Sequence, residues 1–499
     1  MFKKLLIANR GEIAVRVIRA AREMGISTIA VYSDCDRLGL HVRMADEAYR
    51  LGPSPSTESY LNLERIIEIA QSSRADAIHP GYGFLSENPE FPRRCLAAGI
   101  CFVGPGASAM EQMGGKIEAR KTALEAKVSV VPGTEEPLKE EEQALKIARQ
   151  IGFPVLIKAA TGGGGKGMRY VEAAEQLSSA FRDAQSEAKA AFGNSEVYLE
   201  KYLNSPRHIE FQVLADRHGT IVHLGERECS IQRRHQKVIE ESPSPLMTDE
   251  LRWQMGEAAV KVAGACGYEN AGTVEFLVDA EKNYYFLEMN TRLQVEHPIT
   301  EMVTGIDLVK EQLKVACGEK LSFSQQDVRW HGSAMECRIY AEDPQNDFFP
   351  SPGKILRLNS PSGPGVREDS GIYEGWDVPI YYDPLLSKLI VWGNDRNETV
   401  SRMKRALSEY QVAGIKTNLS FFKWLLAQEE FIAGKLSTDF IERHYSSGDG
   451  KSDSSSLQDI AAIAAAIHAS NQVPSHARGT KDSESPWKLW GRLNGMRNR

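Results

Sequence analysis

Through roughly the first 115 residues, short apolar runs alternate with amphipathic stretches, and the runs close on glycine or proline turns. Residues 4–8 form an apolar run. Gly11 then opens a stretch with apolar residues at 13, 14, 17, 18 and 21, the spacing of one helix face, with Arg16, Arg19 and Arg22 expected on the other side and Gly25 as its C-cap. Residues 26–32, 76–79 and 101–103 repeat the strand pattern, the latter two ending in Pro80-Gly81-Tyr82-Gly83 and Gly104-Pro105-Gly106. Strands and helices alternating at this spacing predict a doubly wound parallel sheet, which constrains the remainder of the chain to pack beside a closed α/β layer.

Composition narrows the class. The chain has 499 residues, 42% hydrophobic and 25% charged, the balance of a globular protein of about three domains. A net charge of -7 argues against a general nucleic-acid binder. No apolar run approaches the ~18 residues of a membrane span. The seven cysteines are scattered with no C-x-x-C pair, which fits reduced thiols and a cytoplasmic location.

Two local patterns carry chemistry. Residues 162, 164 and 167 satisfy G-x-G-x-x-G, but Met168-Arg169-Tyr170-Val171 reads as a strand, whereas a dinucleotide loop must open a helix. Lys166 is followed by Gly167, which breaks the P-loop pattern. A glycine loop between two strands is instead a flap whose backbone N–H groups can cover phosphates, or a plain flexible hairpin.

The second pattern is a hairpin over 273–290. A turn centred between Glu281 and Lys282 sets Glu275 directly opposite Glu288, with Asn290 two residues on and on the same face. Like charges so opposed destabilise a sheet. Two carboxylates and an amide form a hard-oxygen set suited to Mg²⁺ or Mn²⁺. Arg292, Gln294 and Glu296 alternate just beyond; they fit a small oxyanion and a proton transfer, or an ordinary charged surface loop. His208, Glu210 and Gln212 alternate with apolar neighbours. The run 226–237 is dense in ionisable groups yet bounded by apolar strand residues.

Taken together, LIANRGEIAVRVIRAAREMGI (6–26), HPGYGFLSENPEF (79–91), KAATGGGGKGM (158–168), ERECSIQRRHQKVIEE (226–241), FLEMNTRLQVEHPITEMVTG (286–305), ECRIYAEDP (336–344), YYDPLLSKLIVWG (381–393) and GIKTN (414–418) resemble the biotin carboxylase family of the ATP-grasp superfamily. The resemblance runs in family order to about residue 445. It implies a mixed α/β and α+β chain: an N-terminal doubly wound parallel-sheet domain (1–115), an ATP-grasp lid (130–203), and an ATP-grasp core with a mixed α+β C-terminal domain (204–445). Residues 446–499 read as a flexible linker and tail, with a short Ala-rich helix near 457–470, serving as an appendage or a docking segment.

The resemblance also implies roles. ATP phosphates would be held by Lys116, Lys158 and His208 beneath the flap at Gly163, Gly164 and Gly165. Met168, Glu200 and Leu203 would border adenine, and Gln232 and His235 would also contact the nucleotide. Glu275, Glu288 and Asn290 would hold Mg²⁺ or Mn²⁺. Bicarbonate would sit on Lys237, Arg292, Gln294 and Val295, with Glu296 as general base and Arg338 stabilising the biotin enolate. Ser333 stands where many members have His. No Met-Lys-Met biotinylation motif occurs, so biotin is expected on a separate carrier protein, with a separate carboxyltransferase and a homodimeric enzyme. The carboxyl acceptor is acetyl-CoA, propionyl-CoA or pyruvate on this reading. A different ATP-grasp ligase would be told apart by which acid stimulates ADP release. A non-catalytic homologue would lack the motif residues, and every one is present.

Overall fold

The computed structural model describes residues 1–134, 136–138, 140–160 and 168–446; the glycine loop at 161–167 and the expected linker, helix and tail beyond 446 lie outside them. The N-terminal strands β1 (Lys4–Ile7), β2 (Ser27–Ser33), β3 (Glu47–Gly52), β4 (Ala77–His79) and β5 (Cys101–Phe102) form a parallel sheet in the order β3-β2-β1-β4-β5. Leu5, Leu6 and Ile7 are all fully buried, as expected for a strand covered on both faces.

Helix α1 (Gly11–Glu23) covers one face, with Ile13, Ala14, Val17 and Ile18 in the core. Arg16, on the other side of the helix, does not face solvent. Arg16 and Glu12 are both buried, because a second layer lies against that side of the helix: the Arg16 guanidinium donates to Glu301 at 2.8 Å and to Asp307 at 2.6 Å. Arg19 and Arg22 remain exposed.

A small antiparallel sheet follows, β7-β6-β8, from β6 (Val155–Ala159), β7 (Arg169–Val171) and β8 (Val197–Lys201). Helices α2 (Glu141–Ile151) and α3 (Ala174–Phe192) share its core through Ala144, Ala148, Leu177 and Phe181.

The largest layer is an eight-stranded antiparallel sheet. Its strands are β9 (Arg207–Ala215), β10 (Ile221–Glu228), β11 (Ile239–Ser242), β12 (Asn270–Val278), β13 (Tyr284–Asn290), β14 (Ser333–Tyr340), β15 (Val366–Ser370) and β16 (Leu385–Gly393), in the spatial order β13-β12-β9-β10-β11-β14-β16-β15. Period-2 alternation decides what each face carries. Ile209, Phe211, Val213, Val274 and Phe276 pack against Met255, Ala259 and Val262 of α4 (Asp249–Ala265). Thr248 caps α4 by accepting from the Leu251 N–H at 3.2 Å. On β9, the alternate positions His208, Glu210 and Gln212 are then left to the other face, and they are buried too.

Burial also makes the fold acid-sensitive. His41 and His79 are enclosed, and desolvation pushes each imidazole down to about 4. Below about pH 6.5 the unfolded chain takes up protons that the folded one refuses. The stabilisation is therefore complete above that pH and is lost as pH falls towards 4. Each histidine should remove roughly 2 kcal/mol at pH 5 relative to pH 7.5. Urea unfolding at the two pH values checks this, and His79→Asn should shrink the difference by about 2 kcal/mol.

Candidate active site

The hairpin of β12 and β13 sets Glu275 opposite Glu288 and Thr273 opposite Asn290. The turn does not sit where the simple arithmetic puts it. Val278 pairs with Tyr284 and Phe276 with Phe286, and an irregularity between Glu275 and Phe276 leaves Leu287 unpaired and restores the opposition. A bulge next to a site re-aims side chains in this way. Asn290 Nδ2 donates to Glu275 Oε1 at 2.8 Å. The Glu288 side chain makes no hydrogen bond or ion pair among the described residues; burial and then Glu275 raise its carboxyl. Two opposed carboxylates and an amide, with no soft donor among them, suit a hard divalent cation.

Glu275 also receives Lys237. The Lys237 ammonium lies 2.8 Å from Glu275 and 2.8 Å from Glu296, and contacts Glu210 as well. Burial opposes this charge, but the three carboxylates hold the ammonium protonated well above its usual range. Arg227, fully buried on β10, engages Glu210 and donates to Gln212 at 2.7 Å and to Thr273 and Thr300 at 3.0 Å. Arg338 on β14 bridges Glu240 at 2.6 Å and Glu296 at 2.9 Å. Glu296 is fully enclosed. Burial works against its charge, yet Lys237, Arg338 and Arg227 outweigh burial and hold its carboxyl well below the usual range. It is therefore a carboxylate, able to accept a proton once its cations turn to a substrate.

Glu296 closes a loop that follows β13. Arg292 in that loop donates to Glu87 at 2.9 Å and to Gln294 at 3.1 Å. The Gln294 amide nitrogen is buried without a partner among the described residues, a donor awaiting an acceptor. His297 Nδ1 donates to Gln294 O at 2.8 Å, a structural role.

The remaining expected residues lie around this centre. His208 Nε2 lies 2.7 Å from Glu275, and Gln232 Nε2 meets His208 Nδ1 at 2.9 Å. His235 and Arg234 occupy left-handed backbone, at φ 64° and 51°, in the tight hairpin between Gln232–Arg233 and Gln236–Lys237. Positive φ at both central residues is what a two-residue hairpin turn of the commonest kind requires. Lys116 begins the helix Lys116–Glu125; burial lowers its ammonium pKa, with Glu288 opposing. Lys158 on β6 is buried, 2.5 Å from Glu200, and Arg120 takes the other Glu200 oxygen at 2.6 Å. The Glu200 side chain is thus committed to two cations, and its backbone pairs with Leu156 of β6. Met168 and Leu203 flank β7 and β8 and are half-buried. Gly163, Gly164 and Gly165 lie outside the described residues.

Glu210, Arg227, Glu240 and Glu87 went unassigned in the sequence. The alternation of polar and apolar residues at 208–213 was the available signal for Glu210. For Arg227 it was the charge run caught between apolar strand residues.

Comparison with known proteins identifies the family. The family models for the biotin carboxylase N-terminal domain, the carbamoyl-phosphate synthase L chain ATP binding domain and the biotin carboxylase C-terminal domain match residues 1–110, 115–324 and 336–443. Biotin carboxylase 1 of Bacillus subtilis is 54% identical over 445 residues, covering 89% of this chain and 99% of that protein. The biotin carboxylase of Nostoc sp. is 52% identical over 441 residues, covering 88% and 99%. Among solved structures, a biotin carboxylase–β,γ-ATP complex from Campylobacter jejuni has a TM-score of 0.87 and 48% identity, covering 89% of this chain and 99% of that one. The biotin carboxylase domain dimer of the Hydrogenobacter thermophilus 2-oxoglutarate carboxylase, with MgADP, ADP and bicarbonate, has a TM-score of 0.86 and 48% identity, covering 89% and 98%.

Fold and site together define an ATP-grasp ligase. The chain belongs to the biotin carboxylase family and is an ATP-dependent carboxylase.

Proposed function

We propose that this chain carboxylates biotin carried on a separate protein, using Glu296 as base for bicarbonate and Arg338 as the cation for the biotin enolate. The observation that carries this reading is the junction at Glu296: one enclosed carboxylate shared by Lys237 and Arg338, beside the opposed Glu275 and Glu288.

Bicarbonate is a weak nucleophile. Lys237, Arg292, Gln294 and the Val295 backbone bind it, and Glu296 accepts its proton as it attacks the γ-phosphorus of ATP. Lys116, Lys158 and His208 take phosphate oxygens, which requires Lys158 to turn from Glu200. Glu275, Glu288 and Asn290 would hold Mg²⁺ or Mn²⁺, which neutralises charge on the transferring phosphoryl group. The carboxyphosphate so formed hydrolyses readily, so the reaction requires water to be kept from it. It breaks down to CO₂ and inorganic phosphate; the phosphate takes the proton of the biotin ureido nitrogen, that nitrogen attacks CO₂, and Arg338 stabilises the charge that develops on the ureido oxygen.

The same reading gives the chain a biotin carboxyl carrier protein and a carboxyltransferase as partners, a homodimeric state and a cytoplasmic location. All seven cysteines are free, in keeping with a reducing compartment. No helix among the described residues is long and apolar enough to cross a membrane.

The test is ADP release by the purified protein with Mg²⁺ and ATP, with and without bicarbonate and biotin. ADP release that depends on bicarbonate and rises with biotin is expected; release no higher than the blank refutes the reading. Arg338→Ser should lower carboxybiotin formation by about 10²- to 10³-fold, measured by trapping labelled bicarbonate on biotin, and should also lower the thermal midpoint because buried Glu240 loses its cation.

A further inference from the structure

Lys388, on β16, is a cation that the chemistry above does not use. It is fully buried. Register sets it between Asp369 of β15 and Arg338 of β14, in one row across three strands. Its ammonium donates to the Val295 carbonyl at 2.7 Å and lies 3.3 Å from Glu12 Oε2, with Asp369 farther off at 4.0 Å. Asp369 is already gripped at both oxygens by Arg367, at 3.0 and 2.7 Å, so Glu12 is the nearest carboxylate to Lys388.

Glu12 reaches this place because the end of β15 runs directly over the start of α1. A Cβ on Gly371 would fall 2.6 Å from the Glu12 nitrogen, so only glycine permits the approach. An enclosed ammonium is costly unless it is both paired and hydrogen-bonded. Here the pairing comes from the N-terminal helix and the hydrogen bond from the catalytic loop.

The carbonyl it holds matters. Val295 C=O belongs to the peptide whose N–H is that of Glu296, so fixing it fixes how the Glu296 Cα is presented. The carbonyl one residue earlier, Gln294 O, is held by His297 Nδ1. Two consecutive peptides are therefore oriented before any substrate enters, which is how a site avoids reorganisation during reaction.

We propose that Lys388 is the positioning residue of the bicarbonate loop: its ammonium clamps the Val295 carbonyl, Glu12 on α1 holds the ammonium, and Gln294 and Glu296 thereby meet bicarbonate in a preset geometry. This rests on the function proposed above. A buried ion pair that served folding alone would touch all substrates alike; this clamp acts on one.

The experiment is steady-state ADP release by full-length Lys388→Met beside the wild type. The KM for bicarbonate should rise at least about tenfold while that for ATP stays within about twofold, the loss expected for one charge-assisted hydrogen bond. Hydrogen exchange of the 291–297 segment should be about tenfold faster, with the 273–290 hairpin unchanged. An unaltered bicarbonate KM, or equal losses for both substrates, overturns the clamp. A wild type that releases no bicarbonate-dependent ADP defeats the functional reading instead. Should Lys388→Met not fold, Glu12→Gln decides: by freeing the ammonium it should raise the bicarbonate KM about threefold, and no change overturns the proposal.

Discussion

Glu296→Gln should lower bicarbonate-dependent ADP release by about 10³-fold while leaving ATP binding intact, the scale of losing a positioned general base. The amide keeps the shape of the carboxylate and cannot take a proton. Stability should suffer little. Removing one partner of a buried ion pair costs about 3–5 kcal/mol when the other charge is stranded. Here neither cation is stranded, because Lys237 keeps Glu210 and Glu275, and Arg338 keeps Glu240. Nucleotide affinity by calorimetry, ADP release and the thermal midpoint separate these effects. Turnover within about tenfold of wild type would move the base elsewhere, with Glu210, the other carboxylate on Lys237, the next to examine.

Glu288→Lys should cost both activity and stability. In the native hairpin Glu275 and Glu288 face each other across β12 and β13. Glu275 is already paired with Lys237 and His208, and Lys116 and Lys237 act on Glu288. An ammonium at 288 meets cations already in place, so the thermal midpoint should fall. The same change puts an ammonium where a divalent cation needs an oxygen, and ADP release should drop about 10³-fold. A Mg²⁺ titration of ADP release and a thermal melt measure both. Activity retained within about tenfold would contradict the assignment of this pair as the metal site.

Acidic groups and cations that share a strand or a turn were legible as a pattern of residues. Two alternating runs joined by a short turn made a hairpin carrying Glu275 and Glu288 legible, since both the period of a strand and the reach of a turn are local properties; the turn as it stands would set Glu275 against Leu287, and the bulge brings it opposite Glu288. Even there the bulge at Leu287 was invisible, because it answers to packing across the sheet rather than to turn residues. The N-terminal alternation of strand and helix was equally plain, for the same reason.

The charges that meet in the interior follow another logic. Arg16 carries no local sign of burial; its partner Glu301 lies 285 residues away. Arg338 meets Glu296 across 42 residues, Lys237 meets Glu296 across 59, and Lys388 meets Val295 across 93. A desolvated charge is tolerated only where others converge on it, and convergence depends on which strands become neighbours in the sheet. Chain order alone therefore supplied most of the strands and helices and the hairpin that carries the two acids. Assembly of the eight strands, with α1 laid against them, chose which ions were drawn out of water and which carbonyl Lys388 would hold.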